Sequence, residues 1–194
     1  MHATAVRTGL ATDEAAAINT IVLAFATDPV ARWVWPDAQR YAASMGRFAR
    51  AFGGGAFHHR SAYNTDDYAG VALWLPPGAG PDEDAVVQLI EETVEPSQRD
   101  GVYEIMEQMG GSHPGDPHWY LPLIGVDPSQ QGRGHGSALL AQALRACDRE
   151  HRIAYLESTN PRNIPLYQRF GFEVMRTIEV GTAPPVWPMV RRAR

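Results

Sequence analysis

Apolar residues recur at helical spacing soon after the start of the chain: Ile18, Ile21, Val22 and Phe25 lie three to four residues apart and predict one buried helix face. Thr12 stands where it can cap this helix, and Asp13 and Glu14 fall in the first turn, where carboxylates suit the positive end of the helix dipole. A short strand is expected just before it, around Ala5 to Arg7. A second helix is predicted from about Ala38 to Phe52, ended by Gly53-Gly54-Gly55, because each glycine costs a helix about 1 kcal/mol relative to alanine. Two runs, roughly His58 to Asn64 and Tyr68 to Leu75, then read as a hairpin across Thr65-Asp66-Asp67.

Helical periodicity returns between Pro81 and Gly111, with Val86, Ile90 and Val94 on one face, a break at Pro96, and Val102, Ile105, Met106 and Met109 beyond it. Glu91, Glu92 and Glu95 read as the solvated side of this region. A strand from about Trp119 to Val126 feeds a glycine-rich loop, and the helix after the loop buries Leu139, Leu140, Ala143, Leu144 and Cys147. Then come a strand from Ile153 to Glu157, a short helix from Ile164 to Arg169, and two terminal strands over Phe172 to Val180 and Val186 to Arg191.

Composition narrows the function more than the fold. With 194 residues, 44% of them hydrophobic, the chain can bury one sizeable core, so a single domain over residues 1–194 is expected. A formal net charge of -5 with 20% charged residues gives no broad basic face, which argues against a nucleic-acid partner. The single cysteine, Cys147, excludes an intramolecular disulfide and a cysteine-based zinc site, and no metal is expected. Met1 to Thr8 lacks the basic start and apolar run of a signal peptide, and no stretch approaches the roughly 20 apolar residues of a membrane span. A soluble cytoplasmic protein is expected, a monomer or homodimer with no membrane partner.

The loop Gln131-Gly132-Arg133-Gly134-His135-Gly136 is the strongest chemical signal. A strand ending at Val126-Asp127-Pro128 that re-emerges as a helix near Gly134 presents unpaired N–H groups at the positive end of a helix, where a phosphate binds. Glycines at 132, 134 and 136 let the backbone approach an anion closely, and Arg133 adds a cation. The alternative is a tight turn whose glycines serve helix packing. A dinucleotide fingerprint fails because Ser137 stands where its third small residue belongs and too little chain follows for a doubly wound sheet. A P-loop is excluded because no Gly-Lys-Ser/Thr follows.

The run from Ile124 to Leu140 resembles the acetyl-CoA motif of the GNAT superfamily, [RQ]-x-x-G-x-[GA], and Asn160 to Tyr167 followed by Gly171-Phe172 resembles that superfamily's second signature. More narrowly, the chain is similar to puromycin N-acetyltransferases through Ala24-Phe25-Ala26 with Asp28-Pro29, Trp119 to Pro128, Leu156-Glu157-Ser158 with Pro161-Arg162-Asn163, and Trp187-x-Met189-x-Arg191. Gly78 to Pro117 matches poorly. The resemblance implies an α/β fold with a mixed, mostly antiparallel sheet of about six to seven strands, flanked by helices and splayed between the fourth and fifth. It implies acetyl-CoA as cosubstrate. Ile124, Gly125 and Val126 would offer backbone hydrogen bonds to pantetheine, Gln131 to Ser137 would enclose the pyrophosphate, and Asn160 or Asn163 would meet the other side of the pantetheine arm. For either asparagine the alternative is a helix cap ahead of Ile164.

Acyl transfer from a thioester to an amine needs a neutral nucleophile, a charge stabiliser at the thioester oxygen and a proton for the departing thiolate. Tyr167, beside the implied pantetheine path, is the candidate donor to sulfur, and its alternative is packing against Phe170 and Phe172. A backbone N–H near Leu123 or Ile124 would meet the oxyanion, with Pro122 helping to open the strand. Glu157 is the candidate base; it departs from a familiar family pattern with glutamate five residues before the motif asparagine, where Tyr155 stands here. His118 and Asp28 are alternatives, whereas His58 and His59 read as ordinary strand or surface residues. Asp28 and Trp33 are candidates for the acceptor pocket, with Trp35, Tyr41 and Phe48 as further aromatics whose plainer reading is core packing. A small-molecule primary amine is the expected acceptor, ahead of a protein N-terminus or lysine and ahead of a non-enzymatic acyl-CoA-binding module.

Overall fold

The computed structural model describes residues 4–194, so Met1, His2 and Ala3, part of the segment read above for a leader, lie outside the described residues. Within it, β1 (Val6–Thr8), β2 (Ala62–Thr65), β3 (Gly70–Leu75), β4 (His118–Val126), β5 (Ile153–Ser158), β6 (Glu173–Val174) and β7 (Trp187–Arg191) form a seven-stranded sheet in the order β1-β2-β3-β4-β5-β7-β6. All neighbours are antiparallel except β4 and β5. The helices are α1 (Glu14–Ala24), α2 (Pro29–Val34), α3 (Ala38–Gly53), α4 (Gly55–His58), α5 (Glu83–Thr93), α6 (Pro96–Gly110), α7 (His135–Arg149) and α8 (Ile164–Arg169). This is the mixed, helix-flanked sheet that the sequence predicts. No helix among the described residues is long and apolar enough to cross a membrane.

Successive side chains of a strand point to opposite faces, and β3 uses this with an unbroken apolar run. Val71, Leu73 and Leu75 join the core beneath α1, α3 and α5, while Ala72 and Trp74 join the core beneath α7. Both faces of the sheet are therefore covered. The stripes predicted for α1 and α7 are those buried, including Ile18 and Ile21 on one side and Leu139, Leu140, Ala143, Leu144 and Cys147 on the other. Burial pushes the Cys147 thiol up to about 12, which leaves it an inert apolar residue.

The sheet opens in its middle. β4 pairs with β5 only from His118↔Ile153 to Leu121↔Leu156, after which β4 continues with β3 and β5 continues with β7. At the same level the β3–β4 register slips, from Leu73↔Leu123 to Leu75↔Tyr120, so β4 carries an extra residue around Leu121-Pro122. Pro122 has no N–H to give to a neighbour, so the ladder loses least by parting there.

Several boundaries differ from expectation, each for a local reason. Thr12 does not cap α1. Residues 11–13 form a 3-10 turn, and the carboxylate of Asp13 accepts from the Leu10 N–H (2.8 Å) and from Arg7 (2.7 Å), tying the turn back to β1. The Gly53-Gly54-Gly55 run does not end helical structure, since α4 follows at once and takes His58 out of the expected strand. An added Cβ on Gly53 would lie 3.0 Å from Leu73 Cδ1 and 3.2 Å from Leu123 Cδ1, so that glycine lets α3 lie close to the sheet. The first terminal strand shrinks to β6, with only an isolated Ile178–Val186 bridge beyond it. Glu91, Glu92 and Glu95 are solvated as expected, and each also has an arginine: Arg99, Arg47 and Arg40 respectively.

Candidate active site

The parting of β4 from β5 opens a cleft of about 500 Å³. The end of α1 and the turn after it (Ala24, Phe25, Thr27, Asp28) form one lip, α8 and its preceding turn form the other, and the glycine loop closes one end. The loop is shaped by conformations that a Cβ penalises: Gly132 has φ 77° and Gly134 φ 90°. Asp127 begins it by accepting from the Ser129 N–H (2.7 Å). Gly134 is the N-cap of α7 and brings no capping side chain, which leaves the first amides of the helix available to an anion. Gly136 serves packing as well, since a Cβ there would sit 3.3 Å from Leu166 Cδ1's sister atom Cδ2, on the opposite lip.

The predicted cofactor residues separate by what they offer. Ile124, Gly125, Val126, Gln131, Gly132, Gly134, His135, Gly136 and Ser137 all line the cleft. Gln131 donates to the Val126 carbonyl (3.4 Å), and the His135 ring lies 3.1 Å from Thr65 Oγ1, so its side chain is fastened to the hairpin. Arg133 is exposed and is not part of the cleft wall. The cations that do line it, Arg162 and Arg169, escaped the sequence reading. Asn160 and Asn163 both border the cleft; Asn160 also accepts from the Arg162 N–H (3.1 Å) as a cap, while the Asn163 side chain makes no cap contact. Glycine at 125 has a steric reason: a Cβ there would lie 2.6 Å from Ala24 Cβ.

Beyond the cleft lies an apolar chamber of about 130 Å³, walled by Leu121 to Ile124 on the bulged strand, by Val34, Trp35, Phe48 and Phe52, and by Val102, Ile105 and Met106 of α6. Cleft and chamber meet at Phe25, Asp28, Ile124, Asn163 and Tyr167. On its far side the chamber meets a second cavity of about 780 Å³ at Phe52, Met106, Met109 and Glu157, and this cavity opens between Gly78–Pro81 and Gly110–His118. Trp35 and Phe48 thus face the chamber, edge to face at 6.0 Å. Trp33 does not: its ring packs over Gly101 and its indole N–H reaches Thr182 Oγ1 (3.4 Å). Tyr41 is core, donating to the Val22 carbonyl (2.6 Å).

Tyr167 is buried on α8 between cleft and chamber, and its hydroxyl has no hydrogen-bond partner among the described residues. Burial, and then the charge of Asp28, raise its pKa above the usual tyrosine value, so it stays a protonated donor. Asp28 is the N-cap of α2 and accepts from the Val30 and Ala31 N–H groups (both 3.0 Å) and from Thr159 Oγ1 (2.6 Å), joining the two lips of the cleft. Burial nevertheless raises its pKa, against the lowering effect of those three donors.

Glu157 follows Tyr155 on the same face of β5, and its side chain is 2% exposed. Its Oε1 has no hydrogen bond. Its nearest basic neighbour is His113, which the sequence alone did not single out, with Nε2 3.3 Å from that oxygen. His118 lies behind His113. His58 and His59 are remote from these cavities. The Tyr120 and Tyr155 hydroxyls beside Glu157 are raised in pKa, first by burial and then by its charge, so both stay neutral.

A model of the acetyltransferase (GNAT) family matches residues 27–172, which hold the glycine loop, β4, β5, α8 and most of the cleft and chamber walls. The chain belongs to the GNAT acetyltransferase family. An uncharacterized N-acetyltransferase of Schizosaccharomyces pombe is 26% identical over 134 residues, 58% of this chain and 50% of its own. A mycothiol acetyltransferase of Propionibacterium freudenreichii is 38% identical over 73 residues, 36% of this chain and 23% of its own. The GNAT chain thus spans half or less of these curated relatives. Among solved structures, a histone acetyltransferase HPA2 and related acetyltransferase from Corynebacterium glutamicum superposes with TM-score 0.68 at 24% identity, covering 100% of this chain and 98% of its own. Arylalkylamine N-acetyltransferase 2 from Aedes aegypti gives 0.68 at 14%, with 100% of both chains covered. These likenesses establish the shared fold.

Proposed function

We propose that this GNAT acetyltransferase moves an acetyl group from acetyl-CoA to the primary amine of a small, largely apolar molecule, by direct attack with both substrates bound. One observation carries the reading: Tyr167 and Glu157 stand at opposite ends of a single apolar chamber, one at the anion-binding cleft and the other at the second cavity. The cleft fits acetyl-CoA by its left-handed glycines, its uncapped helix start and the cations Arg162 and Arg169, which suit a phosphorylated ligand. Bound acetyl-CoA would supply the activated acyl group. The parted backbone of Leu123 and Ile124 borders the chamber, where an N–H can meet the thioester oxygen, and Tyr167 is free to give its proton to sulfur. Glu157 takes the proton shed by the incoming amine. Asp28 adds negative charge at the junction and so favours an ammonium over a neutral ligand.

The narrow apolar chamber supports a small acceptor, in line with the resemblance to puromycin N-acetyltransferases. The test compares 2-phenylethylamine, an aminonucleoside, a lysine peptide and a free-N-terminus peptide as acceptors, with thiol release from acetyl-CoA as the readout. Higher kcat/KM for the small amines is expected, together with a loss of about 10²-fold or more in Glu157→Gln. Preference for a peptide would replace the acceptor, and an unaffected Glu157→Gln enzyme would remove the base.

A further inference from the structure

Behind Glu157 runs a row of polar groups that the chemistry above does not use. The Asp116 carbonyl lies 2.8 Å from His118 Nδ1, His118 Nε2 lies 3.0 Å from His113 Nδ1, and His113 Nε2 lies 3.3 Å from Glu157 Oε1. A carbonyl only accepts, so it fixes every proton in the row. His118 must give it Nδ1–H. A neutral His118 then has a bare Nε2, which accepts from the Nδ1–H of His113. A neutral His113 is in turn left with a bare Nε2, 3.3 Å from an oxygen of Glu157. A bare nitrogen and a carboxylate oxygen this close repel, and a proton delivered to the carboxylate would relieve both. Glu157 Oε1 is buried and has no hydrogen bond among the described residues, and the hydroxyls beside it, Tyr120 and Tyr155, stay neutral, so His113 is the one basic neighbour that can take a proton from it.

We infer that His113 is the proton acceptor behind Glu157, held in the right ring orientation by His118 and the Asp116 carbonyl, and that it carries the amine's proton to solvent. The inference rests on Glu157 being the base. An ammonium acceptor loses two protons in becoming an amide; one goes with the departing sulfur through Tyr167, and the other has to leave the protein. For that second proton, the N–H bond of the amine breaks and an O–H bond forms on Glu157. The O–H bond then breaks as Nε2–H forms on His113, and the resulting imidazolium gives a proton to water in the second cavity, which His113 lines. Its side chain is 29% exposed, whereas that of Glu157 is 2% exposed, so His113 is the member with access to water.

The surroundings suit this role. Tyr120 on β4 and Tyr155 on β5 face His113, with ring centroids 4.7 and 4.4 Å away, and both remain neutral. Arg176 donates to Ser112 Oγ (3.0 Å) and to the Gln108 carbonyl (2.9 Å), fixing the end of α6 from which His113 emerges. Glu107 and Tyr103 of α6, Glu83 at the start of α5 and the Asp116 side chain complete the ionisable groups lining the second cavity, and the three carboxylates favour a cation there.

Wild type, His113→Ala, His118→Asn and Glu157→Gln would be compared from about pH 6 to about pH 9.5 with 2-phenylethylamine as acceptor. His113→Ala should lower kcat/KM by roughly 10- to 100-fold near neutrality, with the deficit shrinking as pH rises, and added imidazole should restore part of the rate. His118→Asn should give a smaller loss of the same pH shape. A His113→Ala enzyme with wild-type rates, or with a pH-independent loss that imidazole does not rescue, overturns the proposal. A wild-type rate in Glu157→Gln instead removes the base on which it rests. Nitrogen-15 NMR of histidine-labelled protein tests the row without any acceptor: Glu157→Gln must change the protonation or tautomer of His113, and an unchanged His113 signal refutes the pairing.

Discussion

Gly125→Ala separates two reasons for a glycine in the parted strand, since an amide can serve a ligand whatever its side chain but a methyl group cannot share space with α1. The added Cβ would lie 2.6 Å from Ala24 Cβ and 3.2 Å from Ile21 Cδ1. Carbon atoms rest at about 3.5–4.0 Å, so the overlap with Ala24 is about 1 Å, and alanine has no rotamer with which to retreat. Helix or strand must move. In an open strand, glycine to alanine would gain roughly 0.5–1 kcal/mol, but overpacking costs about 1–3 kcal/mol, so net destabilisation is expected. At about 2–4 °C per kcal/mol for a chain of this size, Tm should fall by several degrees. Because the end of α1 is a lip of the cleft, CoA affinity should fall too. Calorimetric unfolding and CoA titration would be run on Gly125→Ala, Ala24→Gly and the double variant. Removing the Ala24 methyl should recover most of the loss, with a coupling of about 1 kcal/mol or more. Equal cost of Gly125→Ala in both backgrounds would refute the steric account.

Tyr167→Phe should lower kcat by about 10²- to 10⁴-fold with CoA affinity held, and because the tyrosine pKa is raised, wild-type turnover should climb with pH to at least pH 9 without an alkaline fall; both are read from thiol-release kinetics. Gly134→Ala forces a side chain into φ 90°, at a cost of about 1–3 kcal/mol, and should weaken CoA binding by calorimetry while far-ultraviolet circular dichroism stays unchanged. Asp28→Asn keeps an oxygen for the α2 cap. A carboxyl whose folded pKa is raised favours the native state most at low pH and loses that contribution as pH rises through the folded value, so the neutral amide should match or raise Tm at pH 7. The same variant should raise KM for a cationic amine several-fold, read from steady-state kinetics.

The second half of the chain was largely legible because local rules and tertiary demands agree there. Short, nearly continuous apolar runs made β4 and β5, three glycines fixed the turn into α7, and a short run after Pro161 made α8 end to end. The first half hid more. Helix α2 is six residues long and shows no repeat of its own; its signal was Asp28-Pro29, a capping residue followed by a first-turn proline. Glycines 53 to 55 looked like a stop and are in part a packing surface, a distinction that depends on Leu73 and Leu123, far away in sequence. Trp33 and Trp35 are equivalent on paper, and only the turn of α2 sends Trp35 to the chamber and Trp33 to Thr182. The row at Glu157 was illegible for the same reason. His113 sits in a segment of glycines and prolines, and its partner is 44 residues on, beside β4 because β5 runs parallel to it.

The arginine partners of Glu91, Glu92 and Glu95 bear on how the two sides of the chamber respond to ionic strength. Arg40 and Arg47 of α3 reach across to Glu95 and Glu92, so the seam between α3 and the α5–α6 pair carries two exposed ion pairs, and Arg99 of α6 reaches back to Glu91 of α5 in a third. Exposed pairs of this kind are screened by salt, the Debye length falling from about 8 Å at physiological ionic strength to about 3 Å at about 1 M. On the other face of the sheet α7 and β7 are tied by a half-buried network instead, with the buried Arg191 gripping Asp148 through two guanidinium nitrogens and the Phe170 carbonyl through the third. High salt should therefore quicken amide hydrogen exchange in α5 and α6 well before it touches α7 or β7, making the acceptor side the part of the enzyme that can yield to differently shaped substrates while the thioester side keeps its form.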